Sequence, residues 1–310
     1  VGQIRKPPSA AIIALFATLC AATSADAQSP NSDAKTVVVV NGTAITVPDV
    51  QSAMLFRGVP ASLRPAVRSV FLERLIDDQL VREFLDSRKA AAPKLLIDRA
   101  VDRVRQSFRD KKLDPKVELI KLGLDEAALR RMLALPIAWN TYARQIIGDR
   151  EIREQFTKHR ARYDGTRLRA RQIVVKRPKD AAAKRQAVEK LDAIRSNIVA
   201  GRISFEDAAK VHSVSPSGKK GGDVGFFAYR GKMPREIARV AFSLKENEIS
   251  KPFVTQFGVH VLQVTGRKPG QLSLEDVRPE IFRQLAQQRW NELVAKLRKS
   301  AKIERKSAVK

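Results

Sequence analysis

Cysteine is almost missing from this chain: Cys20 is the only one among 310 residues. Everything after it is therefore free of disulfides, thiolate nucleophiles and cysteine metal sites. Histidine is scarce too. His159, His212 and His260 lie far apart in sequence, and no metal site is expected from them. Aromatic residues make up 6% of the chain and are not interleaved with the bases, so a stacking platform for nucleic acid is not expected. Neither a GxGxxG nor a GxxxxGK frame surrounds Gly221-Gly222, which argues against a phosphate cradle. No tandem repeat is visible, and only the basic tail is low in complexity. Acidic residues are the minority, 33 against 59 Lys and Arg, for a formal net charge of +26.

That charge draws in polyanions, acidic polypeptides and anionic membrane or cell-envelope surfaces, and is silent about fold. About half of the excess lies between Leu168 and Lys268, where 21 Lys and Arg face 9 Asp and Glu. Elsewhere bases alternate with acids, as in RAVDRVRQSFRDKK from Arg99 to Lys112, the pattern of a solvated helix face. A hydrophobic content of 44% over this length is enough for two domains with buried cores.

The first residues read as an export signal. Arg5 and Lys6 precede a 13-residue apolar stretch, Ala10 to Ala22, and Ala25-Asp26-Ala27 supplies the small residues of a cleavage site. The stretch falls short of the roughly 20 residues that a spanning helix needs. Residues 1–27 are the expected signal peptide, cleaved between Ala27 and Gln28, with a periplasmic or otherwise extracytoplasmic destination. Ala17-Thr18-Leu19 before Cys20 makes a poor lipobox.

Residues 28–35 are polar. Val37 to Val40, Asn41-Gly42 and Ala44 to Thr46 then predict a hairpin, since Asn-Gly is the strongest two-residue turn signal. Thr46 with Asp49 three residues on predicts a capped helix, and the pattern stays helical to about Tyr163. Leu72, Leu75, Ile76, Leu80 and Phe84 form one stripe. Pro93, Pro115 and Pro136 are expected to punctuate later helices, the first two near their starts. His159 is expected exposed in a basic helix.

The character changes at Leu168. A strand to Lys176, a helix from about Asp180 to Ala200 closed by Gly201, and a helix capped at Ser204 and ending near Val211 come first. A glycine-rich loop to Phe226-Phe227, a helix from about Pro234 to Leu244 and a strand around GVHVLQVT follow. A final helix is capped at Ser273 and carries Ile281, Leu285, Trp290, Leu293, Val294 and Leu297.

Five fragments in this region carry a resemblance: RARQIVVK, GRISFEDAAKVHS, SGKKGGDVGFF, RGKMPREIARVAFSL and NEISKPFVTQFGVHVLQV. In this order, over about 100 residues, they resemble the parvulin type of peptidyl-prolyl cis-trans isomerase. VVVVNGTAITVPDVQ and the closing SLEDVRPEIFRQLAQQRWNELVAKLRKSAKI resemble the chaperone parts of SurA- and PrsA-type extracytoplasmic foldases. The resemblance implies an α+β protein, with a parvulin-like α/β module at 166–270 and a mainly helical chaperone lobe. That lobe is expected from residues 28–165, with the C-terminal helix and basic tail of 271–310 packing on it.

Isomerising an X-Pro bond means crossing a barrier of about 18–20 kcal/mol set by amide resonance. It needs an apolar slot for the proline ring, exclusion of water and polar groups matched to the twisted amide. No nucleophile, metal or cofactor is required, and none is expected here. The resemblance implies a slot lined by Val224, Met233, Ile237 and Phe257, with Phe227 at its back. It puts His260 at the family's distal histidine and Thr255 at the hydroxyl residue beside it. Gln172 stands where the family usually has its other histidine, and Ser215 where it has cysteine or aspartate. These two departures are expected to weaken catalysis and leave open a second reading, a holdase chaperone whose module binds peptide without catalysing. His212 stands at a position the family fills with an aromatic and is expected to pack. The implied partners are unfolded or nascent secreted polypeptides.

Overall fold

The structure, a computed structural model, describes residues 35–231 and 233–306, so the expected signal peptide and Cys20 lie outside it. In chain order the strands and helices are β1 (Thr36–Val40), β2 (Thr43–Thr46), α1 (Val47–Phe56), α2 (Arg64–Ser87), α3 (Lys94–Arg109), α4 (Pro115–Lys121), α5 (Glu126–Ile146), α6 (Asp149–Lys158) and α7 (Arg160–Tyr163). Then come β3 (Arg167–Val175), α8 (Ala181–Val199), α9 (Phe205–His212), β4 (Asp223–Ala228), α10 (Arg235–Ala241), β5 (Phe253–Thr255), β6 (Gly258–Lys268), α11 (Leu274–Ser300) and β7 (Ile303–Arg305). The chain divides into two compact units, one running to Gly148 and resuming at Leu285, the other Asp149–Gln284.

The first unit begins with the expected hairpin. β1 and β2 pair antiparallel, and Asn41 (φ 48°) and Gly42 (φ 90°) take the left-handed turn that Asn-Gly favours. Thr46 caps α1 in a full capping box, its N–H donating to Asp49 Oδ2 at 2.8 Å. The free edge of β1 is filled from the far end of the chain by β7, with Val40 opposite Ile303. Val38, Val40, Ile45, Val50, Met54, Ile76 and Leu80 form the core there, and Leu297, Ala301 and Ile303 pack against it. Arg298 holds α11 to α2 by a fork, to Asp77 Oδ1 at 2.6 Å and Glu73 Oε2 at 3.0 Å.

A second core joins α3, α4 and α5 through Val101, Phe108, Leu119, Leu122, Leu124 and Leu129. Sequence put a break at Pro136, yet α5 runs through it. A proline inside a helix costs about 3 kcal/mol. Burial of Leu129, Leu135, Ala138, Trp139 and Ala143 along the same helix outweighs that, and Trp139 meets Trp290 edge-on at 5.2 Å.

The second unit is built on an antiparallel sheet of order β4-β3-β6-β5. Alternation splits β3 and β6 between two apolar faces. Ile173, Val175, Val259 and Val261 pack with α8 and α9, whose Leu191, Ile194 and Phe205 cover them. Leu168, Ala170, Leu262 and Val264 pack with α10. The ends of this module are knitted together. Asp164 Oδ1 accepts from Thr166 N at 2.9 Å and Thr166 Oγ1 at 2.6 Å, and Thr166 Oγ1 accepts from Gly270 N at 3.1 Å. The compact unit is wider than residues 166–270, because α6, α7 and the start of α11 join it through the Arg278–Asp149 ion pair and the Tyr163–Gln284 hydrogen bond of 2.8 Å.

Candidate functional site

The site forms where the ends of β3, β5 and β6 meet the glycine-rich loop before β4. Thr255 pairs with Gly258, so β5 turns onto β6 through Gln256 and Phe257, and Phe253 comes to lie opposite His260. Gly258 has φ 146°, and a Cβ there would collide with the carbonyl oxygen of Val175. Only glycine lets this turn close so tightly on the end of β3.

His260 is 2% exposed. Thr255 Oγ1 lies 2.8 Å from its Nε2 and accepts from Phe257 N at 3.0 Å. The two groups share one hydrogen bond, whose direction is set by the imidazole tautomer. The Phe253 ring stacks on the imidazole with centroids 5.4 Å apart. Burial pushes the His260 pKa down, which keeps the ring neutral at neutral pH.

Gln172 sits on β3 on the same sheet face as His260, because Val174 pairs with His260 and Gln172 with Leu262. Its Nε2 donates to Ser215 Oγ at 3.3 Å, and Ser215 Oγ lies 3.0 Å from Ser217 Oγ. The loop carrying these serines is bound to β3 by backbone. Gln172 N donates to Gly222 O at 2.9 Å, and Val174 N to Ser213 Oγ at 3.1 Å. At Gly222 (φ 81°) a Cβ would come within 2.5 Å of the Gln172 carbonyl, so the close approach requires glycine. Among the described residues Gln172 Oε1 and His260 Nδ1 are buried without a hydrogen-bond partner. They lie on neighbouring strands of one face.

The expected slot residues fall into two groups. Val224, Phe227, Met233 and Ile237 belong to one apolar cluster with Leu262 and Phe253. Phe227 and Ile237 are buried in it and form its back, whereas Val224 and Met233 are half-buried. Phe257 stands outside that cluster, 54% exposed at the tip of the β5–β6 turn. A cleft of about 440 Å³ opens beside Thr255, lined by Arg177, Lys179, Lys184, Val254 and Gln256 among others.

Sequence reasoning missed Phe253 and Ser217. The two-residue turn at Gln256-Phe257, which sets 253 opposite 260, was the available signal for the first. His159 is half-buried at the break between α6 and α7, not exposed within one helix, and burial and then the charges of Arg162 and Lys158 lower its pKa. His212 is half-buried in the last turn of α9. Among the described residues no three His, Cys, Asp or Glu side chains gather as a metal site would require.

Comparison with known proteins bears on this region most. The family description "Rotamase: PPIC-type PPIASE domain" matches residues 173–266. Foldase protein PrsA of Bacillus subtilis (strain 168) is 37% identical over 106 residues, 32% of this chain and 35% of that protein. Chaperone SurA of Polaromonas sp. is 40% identical over 114 residues, 36% of this chain and 24% of that one. The chain thus spans only a minor part of the length of these two relatives. Foldase protein PrsA 1 of Bacillus cereus aligns more broadly, at 28% identity over 67% of this chain and 71% of its own.

Proposed function

We propose that this chain, whose residues 173–266 form a PPIC-type parvulin domain, is an exported peptidyl-prolyl cis-trans isomerase and folding chaperone. Its substrates are X-Pro bonds of unfolded or newly secreted polypeptides. Residues 1–27 direct it to a periplasmic or other extracytoplasmic space, and its net charge of +26 keeps it near anionic membrane or cell-envelope surfaces. Residues 166–270 carry the catalysis, while 28–165 and 271–310 hold non-native chains.

The observation that carries this reading is a neutral polar pair beside an apolar cluster. Planar X-Pro amides are more dipolar than the twisted form, so an apolar surface that excludes water favours twisting. Val224, Met233 and Phe257 supply that surface, backed by Phe227 and Ile237. Thr255, His260, Gln172 and Ser215 supply fixed, uncharged hydrogen-bonding groups that need no reorganisation as the amide rotates. The cleft beside Thr255 gives an extended peptide room next to the β5–β6 turn.

The test is a proline-limited refolding assay with residues 28–310. A rate enhancement that disappears in the Phe257→Ala variant supports the proposal. If the protein suppresses client aggregation but leaves the slow phase untouched, the module binds without catalysing and the holdase reading replaces this one.

A further inference from the structure

Helix α4 is apolar on two sides, and among the described residues only one of them enters a core. Leu119 and Leu122 enter the α3–α5 core. Val117 and Ile120, spaced i and i+3 on the helix, are 47% and 62% exposed, and Leu113, just before its N-cap, is 40% exposed. The charges around them are equally unbalanced. Asp98, Asp102, Glu118 and Glu126 are taken by Arg130, Arg105 and Lys121. Asp110 accepts from Gln106, while Asp114 and Asp125 cap α4 and α5. Every carboxylate from α3 to the start of α5 is thus engaged. Arg99, Arg103, Arg109, Lys112 and Lys116 are exposed and make no ion pair among the described residues.

These cations are spread out. Arg99 to Arg109 alone covers about 15 Å of helix axis at 1.5 Å per residue. A small anion or a single acidic side chain is held by converging groups, whereas a row of separate cations matches charge distributed over a plane. We infer that α3 and α4 dock on the anionic surface of a lipid bilayer. Leu113, Val117 and Ile120 enter the boundary between headgroups and acyl chains, and the five bases lie at the level of the lipid phosphates. The helix lies in the interface, since no helix among the described residues is long and apolar enough to cross a membrane. The inference rests on the reading that this protein works near an anionic envelope surface, and it is independent of isomerase activity.

Residues 28–310 keep every described element and contain no cysteine, so Ile120→Cys creates a single attachment point for an environment-sensitive dye. Val199→Cys, at the end of α8 and 61% exposed in the native chain, is the control site. The probes are vesicles of equimolar phosphatidylglycerol and phosphatidylcholine, and of phosphatidylcholine alone. The dye at 120 is expected to shift to the blue only with the anionic vesicles, and the dye at 199 not at all. Leu113→Ser with Val117→Ser is expected to lower partitioning about fivefold or more, at unchanged circular dichroism. Co-sedimentation with an aqueous dye signal at 120 would refute the face and leave the envelope reading standing. Failure to co-sediment would remove both. Shielding of the dye by an acidic, apolar peptide, without shielding by anionic vesicles, would make the face a polypeptide site and overturn the inference.

Discussion

Thr255 ties His260 to the β5–β6 turn: its hydroxyl accepts the Phe257 N–H at 3.0 Å and shares a hydrogen bond with His260 Nε2 at 2.8 Å. Burial keeps the ring neutral, on the sheet face that also carries Gln172. Thr255→Val keeps the shape and removes the hydroxyl. It is expected to destabilise the second unit by about 1–3 kcal/mol, the cost of a buried polar group left unpaired, and to lower kcat/KM. Thr255→Ser should behave nearly as the native protein. Urea melts and a peptide isomerisation assay on the same samples check both outcomes.

Burial lowers the pKa of His260, and the sign of the consequence follows. The unfolded chain takes up a proton near the ordinary imidazole value of about 6.5, which the native state resists. The full contribution is therefore present above about pH 6.5 and is lost as the pH falls through the lowered native value. His159 is shifted the same way, by burial first, and adds to the slope. Melts from pH 8 to pH 5 should show stability falling toward acid, less steeply in His159→Gln. An unchanged slope in that variant would contradict the shift at 159.

The slot should matter more than any titratable group. Met233→Ala or Phe257→Ala is expected to cut kcat/KM for an X-Pro peptide about tenfold or more, about 1.4 kcal/mol of transition-state stabilisation. Gln172→His should leave activity equal or higher. Circular dichroism on each variant separates lost catalysis from lost fold, and fully active slot variants would place the site elsewhere.

Truncation after Ser300 removes β7 and strips β1 of one neighbour. Ile303 also leaves the core it shares with Val38 and Val40. Burying a large apolar side chain contributes roughly 1.5–3 kcal/mol, and the lost strand pairing adds to that. Hydrogen exchange should show β1 and α1 losing protection while β3 and β6 keep theirs.

What the sequence revealed was what neighbours in sequence decide. Asn41-Gly42, the Thr46–Asp49 box and the cap at Ser204 each depend on a few adjacent residues, and all form as expected. The strand expected around GVHVLQVT forms as β6. What escaped depends on distant partners. Ile303–Arg305 is too short to read as a strand and becomes one only because β1 offers a free edge. Pro136 looks like a breaker until the burial of its helix outweighs it. The resemblance named Gln172 and Ser215. Their hydrogen bond and its continuation to Ser217 depend on a loop that three-dimensional packing folds against β3.

The sheet of order β2-β1-β7 also sets a timetable. A chain made from its N-terminus presents β1, Thr36–Val40, long before β7, Ile303–Arg305, which completes the sheet. The β4-β3-β6-β5 sheet lies wholly between them and closes over a much shorter span. Loop closure is entropically cheaper over that span, so the parvulin module is placed to be native while the other unit still waits for its end. The unit that carries the candidate site can thus complete its sheet before the other unit completes its own. A chain cut short anywhere before Ile303 leaves β1 with an open strand edge, a template for the kind of aggregation that a chaperone exists to prevent.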